Sequence, residues 1–255
     1  MSTLALQAHQ AARDEAYATP LATLDMSDAR RFKNSTFWPF FERLRREEPV
    51  HYCPDSAFGP YWSITKYNDI MAVDTNHKVF SSQGGITLLE PREDPEKQTP
   101  MFIAMDPPKH DDQRRAVSPI VAPGNLSNLE GLIRARVIAI IESLPVNETF
   151  NWVDRVSIEL TTQMLATLFD FPFEDRRLLT HWSDVATALP VTPEDWQRRD
   201  AEMGKCLEYF VRLWNTRVNA APGNDLVSML AHNPATRNMP PREYMGNLID
   251  RKSVV

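Results

Sequence analysis

MDPPKHDDQRR, residues 105–115, is the stretch on which the interpretation of the fold depends. Asp106 is a good N-cap, and the two prolines after it fit a first helical turn, where backbone N–H groups have no intrahelical acceptor. We therefore predict that a helix begins here. His110 and Arg114 are four residues apart and share one face of that helix. An imidazole and a guanidinium one turn apart form a two-pronged donor for a carboxylate or a phosphate.

Two further features of this stretch qualify that prediction. Pro119 is expected to end or kink the helix near Ser118, because proline cannot continue the backbone hydrogen bonding. A run of charges such as HDDQRR is also typical of a solvent-exposed turn, and the spacing alone favours that simpler interpretation.

On the N-terminal side of this stretch, the pattern predicts a small mixed region. Residues 1–30 have no sustained apolar face and are predicted to be a loosely packed segment. Residues 81–105 form a long connection with apolar content, and such connections inside compact domains are usually functional or disordered. Between them we predict a helix over Thr36–Glu48, a hairpin of Val50–Cys53 and Tyr61–Thr65, and a short helix over Tyr67–Asp74.

On the C-terminal side, the chain is predicted to be helical throughout. Apolar residues recur there at helical spacing, and prolines mark several boundaries. The fold class is therefore mainly α with a small N-terminal β element. The predicted helices are Leu126–Leu144, Val153–Phe169, Phe173–Leu189, Pro193–Ala220, Asp225–Ala231 and a last one starting near Pro240.

Composition excludes several classes of protein. The 255 residues include 28 Lys and Arg against 34 Asp and Glu, a net charge of −6, which argues against nucleic-acid binding. No stretch reaches the roughly 18 apolar residues of a membrane span, and the N-terminus lacks a secretory signal pattern, so the expected location is cytoplasmic. Two cysteines, Cys53 and Cys206, cannot build a disulfide scaffold or a CxxC metal site.

MDPPKHDDQRR resembles the start of the C helix of bacterial cytochromes P-450, whose pattern pairs a heme propionate. The resemblance implies that His110 and Arg114 bind the propionates and that Phe102 and Ile103 contact the heme face. It extends over nearly the whole chain to about residue 249. The segments TFWPFFERLRREEPVHY, SITKYNDIMAV and the FSS at Phe80–Ser82 fall in family order.

Two segments resemble a narrower group, the soluble P-450s that hydroxylate alkanes and fatty chains at the terminal carbon. They are SSQGGITLLEP, residues 81–91, and NMPPREYMGNLI, residues 238–249. The resemblance implies heme (iron-protoporphyrin IX), molecular oxygen, electrons from a ferredoxin and its reductase, and a hydrophobic small-molecule substrate. Ile86, Leu88 and Leu89 are candidate pocket residues, because ligand pockets are mostly apolar. The alternative is that they only anchor the connection.

The chain also departs from the family pattern. We expect a single cytochrome P-450 domain over residues 1–255, truncated at the start of its central helix, with residues 250–255 departing from the family. The E-x-x-R pair and the loop with the axial cysteine are absent, so no metal ligand is assigned. Cys53 and Cys206 have the character of small buried hydrophobes. The chain is expected to be inactive alone.

Two other functions remain open from the residues. A non-catalytic helical module that binds a partner or a lipid would explain the incomplete active site. A phosphate-binding enzyme could use His110 and Arg114 on an anion, although no Gly-rich cradle or metal-ligating set accompanies the pair. Heme titration separates the module from a P-450, since an unrelated module has no reason to bind heme through these two residues.

Overall fold

The computed structural model describes residues 3–83, 85–88, 99–188, 190 and 192–252. The chain divides into two compact units, residues 1–91 and residues 92–255. No helix within the described ranges combines the length and the apolar composition that crossing a bilayer requires. The single domain over residues 1–255 stays a prediction.

The described residues of the first unit form four α-helices, a 3₁₀ turn at Leu21–Thr23 and one hairpin. The predicted hairpin is confirmed, and its two strands pair antiparallel with His51 opposite Ser63. The short helix after it has the predicted bounds. The elements are α1 (Thr3–Ala18), α2 (Ala29–Lys33), α3 (Trp38–Glu47), β1 (Val50–Cys53), β2 (Tyr61–Ile64) and α4 (Tyr67–Asp74).

The N-terminal segment is more ordered than the sequence suggested. Residues 3–18 form a helix, and Ala12 and Ala16 are buried against the same cluster as Phe40. The buried side of α1 is made of alanines, whose small side chains leave little periodic hydrophobic signal. Arg43, itself 9% exposed, donates to the carbonyl oxygens of Ala16 and Thr19 at the end of α1. The sequence did not predict this helix, and the loose packing of residues 1–30 stays a prediction.

The second unit is helical, as predicted. Differences from the predicted bounds are small, except that Val153–Ile158 is π-helical and precedes α7, and that Phe173–Asp175 is a 3₁₀ turn before α8. The helices are α5 (Lys109–Val117), α6 (Pro123–Glu142), α7 (Glu159–Phe169), α8 (Arg176–Thr187), α9 (Pro193–Val218), α10 (Leu226–His232) and α11 (Pro241–Lys252).

The core of the second unit contains one side of α7 to α11 and aromatic residues from several of them. Phe210 of α9 lies at its centre, with ring centroids 6.0 Å from Trp182 and 6.3 Å from Tyr244. Cys206 and Leu248 are fully buried in the same cluster. The packing fixes α11 against α9 and α8 and thereby places its N-terminal half beside α5.

Candidate functional site

Helix α5 begins later than predicted. Its N-cap is Pro108, without a side-chain cap hydrogen bond, and the assignment of Asp106 as N-cap was wrong. The two prolines after Asp106 have no N–H, and the helix begins at Lys109, the first residue after them that has one. The predicted end is confirmed, because α5 stops at Val117 and Ser118–Val121 is a 3₁₀ turn.

His110 and Arg114 lie one turn apart on α5, as the spacing predicted. The His110 side chain is 27% exposed, and its Nδ1 lies 2.8 Å from the Asp111 carboxylate. Arg114 is exposed. Both side chains are accessible from solvent, so an imidazole and a guanidinium are available to an anion that approaches this face.

Phe102 and Ile103 precede α5 in the 3₁₀ turn Phe102–Ala104. Phe102 is only 3% exposed and belongs to the core, whereas Ile103 is 37% exposed. The Phe102 ring centroid lies 6.0 Å from that of His110. The structure therefore brings Phe102 beside the donor pair and leaves Ile103 open to solvent, and the contact of these two residues with heme stays a prediction.

The candidate pocket residues lie in the first unit. Ile86 is 54% exposed and Leu88 is 43% exposed. Leu89 lies outside the described residues. The assignment of these three residues to a substrate pocket stays a prediction.

Sequence reasoning missed a polar network, buried except for Lys109, that joins α5 to α11. We call Lys109, Gln113, Glu243 and Asn247 the α5–α11 network. Lys109 Nζ lies 2.8 Å from Glu243 Oε2, and Gln113 Nε2 donates to Glu243 Oε1. Asn247 Nδ2 donates to Gln113 Oε1 at 2.8 Å. One sequence feature could have indicated this network. Each helix has two polar residues four positions apart, and on α11 they interrupt an otherwise apolar face.

A second polar cluster lies between the end of α6 and the start of α7, beside a cavity of about 360 Å³. Glu159 accepts hydrogen bonds from Gln163 and Arg176 at 2.8 Å and from Arg177 at 2.7 Å. Burial alone raises the pKa of the Glu159 carboxyl, but these donors outweigh it and hold that pKa below its ordinary value. Arg177 also pairs with Asp154, so both carboxylates of this cluster have a guanidinium partner.

The residues can be compared with what a heme requires. His110 and Arg114 can donate hydrogen bonds to carboxylates, and both are accessible to solvent. They therefore fit the propionate groups of a heme. Among the described residues, neither cysteine is placed to bind an iron: Cys206 is fully buried in the core, and the Cys53 thiol, 2% exposed, donates to the Asp55 carbonyl oxygen at 3.3 Å. Burial also raises the pKa of the Cys53 thiol, against thiolate formation. Within the described ranges, no cluster of His, Cys, Asp and Glu could hold a metal ion.

The chain is similar to known proteins in sequence and in structure. No protein-family model matches the chain. Linalool 8-monooxygenase of Pseudomonas putida is 32% identical over 227 residues, 82% of this chain and 54% of that protein. The solved cytochrome P450-153 of Novosphingobium aromaticivorans is 43% identical with a TM-score of 0.81, covering 88% of this chain and 57% of its own. CYP153D17 from Sphingomonas sp. PAMC 26605 is 42% identical with a TM-score of 0.81, covering 89% and 58%.

The similarity is in sequence and in fold, and the predicted fold class is confirmed. The chain spans just over half the length of the curated relative and of the two solved proteins. These proteins are cytochromes P450, and the family binds heme. The homologues and the structural neighbours of this chain are bacterial cytochromes P450.

Proposed function

We propose that the complete protein is a heme-dependent monooxygenase that hydroxylates alkanes or fatty chains at the terminal carbon. Its electrons come from a ferredoxin and a ferredoxin reductase, and its location is the cytoplasm. The observation that carries the proposal is the accessible pair of His110 and Arg114 on α5, in a chain that is 43% identical to a cytochrome P450-153.

Two observations support the proposed reaction class and the proposed position of hydroxylation. The reaction class follows the name of the relative that is a linalool 8-monooxygenase. Terminal hydroxylation of a chain follows the resemblance of residues 81–91 and 238–249 to soluble alkane and fatty-chain hydroxylases.

The roles of individual residues follow from their chemistry. His110 and Arg114 hold the two propionates by charge-assisted hydrogen bonds. When bound, the heme supplies oxygen activation at its iron. The described residues contribute no thiolate to that iron, so the 255-residue chain alone is expected to be inactive. Ile86, Leu88 and Leu89 line the substrate pocket in this proposal.

The experiment extends the chain with the downstream coding sequence, provided that sequence encodes the axial-cysteine loop. The extended protein is assayed for bound heme and for products from a series of alkanes and fatty acids. His110→Ala and Arg114→Ala should each weaken heme retention roughly ten- to a hundredfold, since a charge-assisted hydrogen bond contributes about 1.5–3 kcal/mol.

Two results would contradict the proposal. Full heme occupancy in the His110→Ala, Arg114→Ala double variant would reject the propionate assignment. Products hydroxylated only at internal carbons would reject terminal hydroxylation. For the pocket, Leu88→Ala should shift the preferred chain length, because one methylene of fit is worth about 1–3 kcal/mol of discrimination.

A further inference from the structure

The α5–α11 network determines how α5 is rotated about its own axis. Lys109 and Gln113 are four residues apart on α5 and face Glu243 and Asn247, which are four residues apart on α11. Two contacts one turn apart along a helix resist rotation of that helix. Gln113, Glu243 and Asn247 are at most 4% exposed, so water is not available to replace a lost partner.

The rotation of α5 decides where the donor pair points. Successive residues of an α-helix are about 100° apart around its axis. His110 and Arg114 each follow a network residue by one position, so their stripe lies next to the stripe of Lys109 and Gln113. Any rotation permitted by a broken network moves both donor side chains together.

Asn247 also holds the turn that precedes α5. Its Oδ1 accepts a hydrogen bond from the Phe102 N–H at 2.7 Å, while its Nδ2 donates to Gln113. The neighbouring Gly246 lies so close to the Pro100 carbonyl that a side chain there would overlap it. One amide therefore fixes both α5 and the turn that carries Phe102 and Ile103.

We propose that Gln113, Glu243 and Asn247 are positioning residues for the anion-binding pair His110 and Arg114. The proposal rests on the proposed function, which takes that anion to be a heme propionate. The three residues act through the rotation of α5 and make no contact with the propionate themselves. Loss of the network weakens recognition of the propionates specifically, beyond any loss of stability.

The test titrates the 255-residue chain with hemin and with hemin dimethyl ester, following the quenching of tryptophan fluorescence. The ester has no propionate charge, so a change in the ratio of the two dissociation constants between the native chain and a variant reports propionate recognition. The native chain should prefer hemin by about tenfold or more, and Arg114→Ala should bring the ratio close to one. Asn247→Leu should reduce the ratio at least threefold, whatever its effect on the affinity for the ester, which also depends on the turn that Asn247 holds.

The matched control is Thr162→Val on α7. Thr162 is 1% exposed and donates to the Ile158 carbonyl oxygen at 2.8 Å, so the variant also loses a buried hydrogen bond, but outside the network. Its ratio should equal the native one. A smaller ratio in Thr162→Val, matching that of Asn247→Leu, would show that general destabilisation is sufficient and would overturn the inference.

The outcomes separate the two proposals. A native ratio of one rejects propionate pairing, and the inference falls with it. A ratio lost in Arg114→Ala but kept in Asn247→Leu overturns the inference and leaves the proposed function standing. If Asn247→Leu loses its helical circular dichroism, Gln113→Met replaces it, because this change keeps the side-chain volume. An unchanged ratio in that variant overturns the inference equally.

Discussion

Helices α6 and α11 both carry apolar residues, but they bury them to opposite extents. Every residue of α11 from 243 to 249 is buried. Helix α6 has twenty residues, and of these only Ile140 is buried. Its large apolar side chains at five positions are 36–50% exposed, namely Leu126, Leu132, Val137, Ile138 and Ile141.

This difference shows that the apolar content of a helix does not by itself determine how far its side chains are buried. Helix α11 packs against α8 and α9 and inserts Leu248 and Met245 into the main cluster. Helix α6 contacts α7 and the segments at its own ends, which cover one side of it. The polar residues of α11 follow the same logic, because Glu243 and Asn247 are buried where α5 offers them partners.

The largest effect is expected for truncation of a buried α11 side chain. Leu248→Ala should lower the free energy of unfolding by about 2–5 kcal/mol, because Leu248 is fully buried and the variant leaves a cavity. Ile138→Ala on α6 is the control, since Ile138 is 50% exposed, and it should change that free energy by less than about 0.5 kcal/mol. Urea unfolding followed by circular dichroism measures both. Equal losses in the two variants would mean that the contrast between the helices is not real.

Replacing a glycine by alanine is expected to have opposite effects on the stability of the protein in the two helices. Gly246→Ala on α11 places a Cβ against the Pro100 carbonyl and 3.1 Å from Thr99 Cγ2, and should destabilise by about 1–3 kcal/mol. Gly131→Ala on α6 meets nothing within 4 Å and should stabilise by about 0.5–1 kcal/mol, because alanine loses less backbone entropy. Thermal unfolding of both variants measures the difference. A stabilising Gly246→Ala would rule out the close approach of α11 to residues 99–100.

Much of the fold could be predicted from local signals. The hairpin and α4 follow from the change of period after Pro49, and the helices of the second unit from apolar spacing. The shared face of His110 and Arg114 depends only on the helical repeat, so it was accessible as well. Helix α1 was missed because its buried side consists of alanines.

The rest of the site depends on contacts between distant parts of the chain. Gln113 and Asn247 are 134 residues apart, and neither shows in its own neighbourhood that the other is its partner. A polar residue at a helix position gives the same local pattern whether it faces water or a buried amide. The start of α5 is a smaller example, because local rules placed the N-cap at Asp106 and the helix begins two residues later than they predict.

A smaller, pH-dependent effect is expected at Glu159, which lies near the C-terminal end of α6. The folded protein holds the pKa of Glu159 below its ordinary value of 4.5, so the ionised form favours folding. Its contribution is present above that value and is lost as the pH falls through the lowered pKa. Glu159→Gln should therefore cost on the order of 1 kcal/mol at neutral pH and progressively less below about pH 4.5.

The measurement is the free energy of unfolding in urea at several pH values, for native chain and variant. Glu130→Gln is the control, because Glu130 pairs with Arg134 on the exposed side of α6 and its side chain is 72% exposed. An exposed pair of this kind should contribute less than about 0.5 kcal/mol. A difference between the native chain and Glu159→Gln that grows as the pH falls would contradict the assigned sign.

The smallest change in stability, but a clear change in association, is expected on the exposed side of α6. Val137, Ile138 and Ile141 are neighbours at helical spacing, and exposed apolar clusters promote self-association. Ile138→Lys should change the free energy of unfolding by no more than about 0.5 kcal/mol, because the side chain is half exposed. Sedimentation velocity should show a lower fraction of associated species than in the native chain. Glu142→Gln raises the net charge by the same one unit without removing apolar surface, so an equal decrease in that variant would assign the effect to charge and not to the apolar cluster.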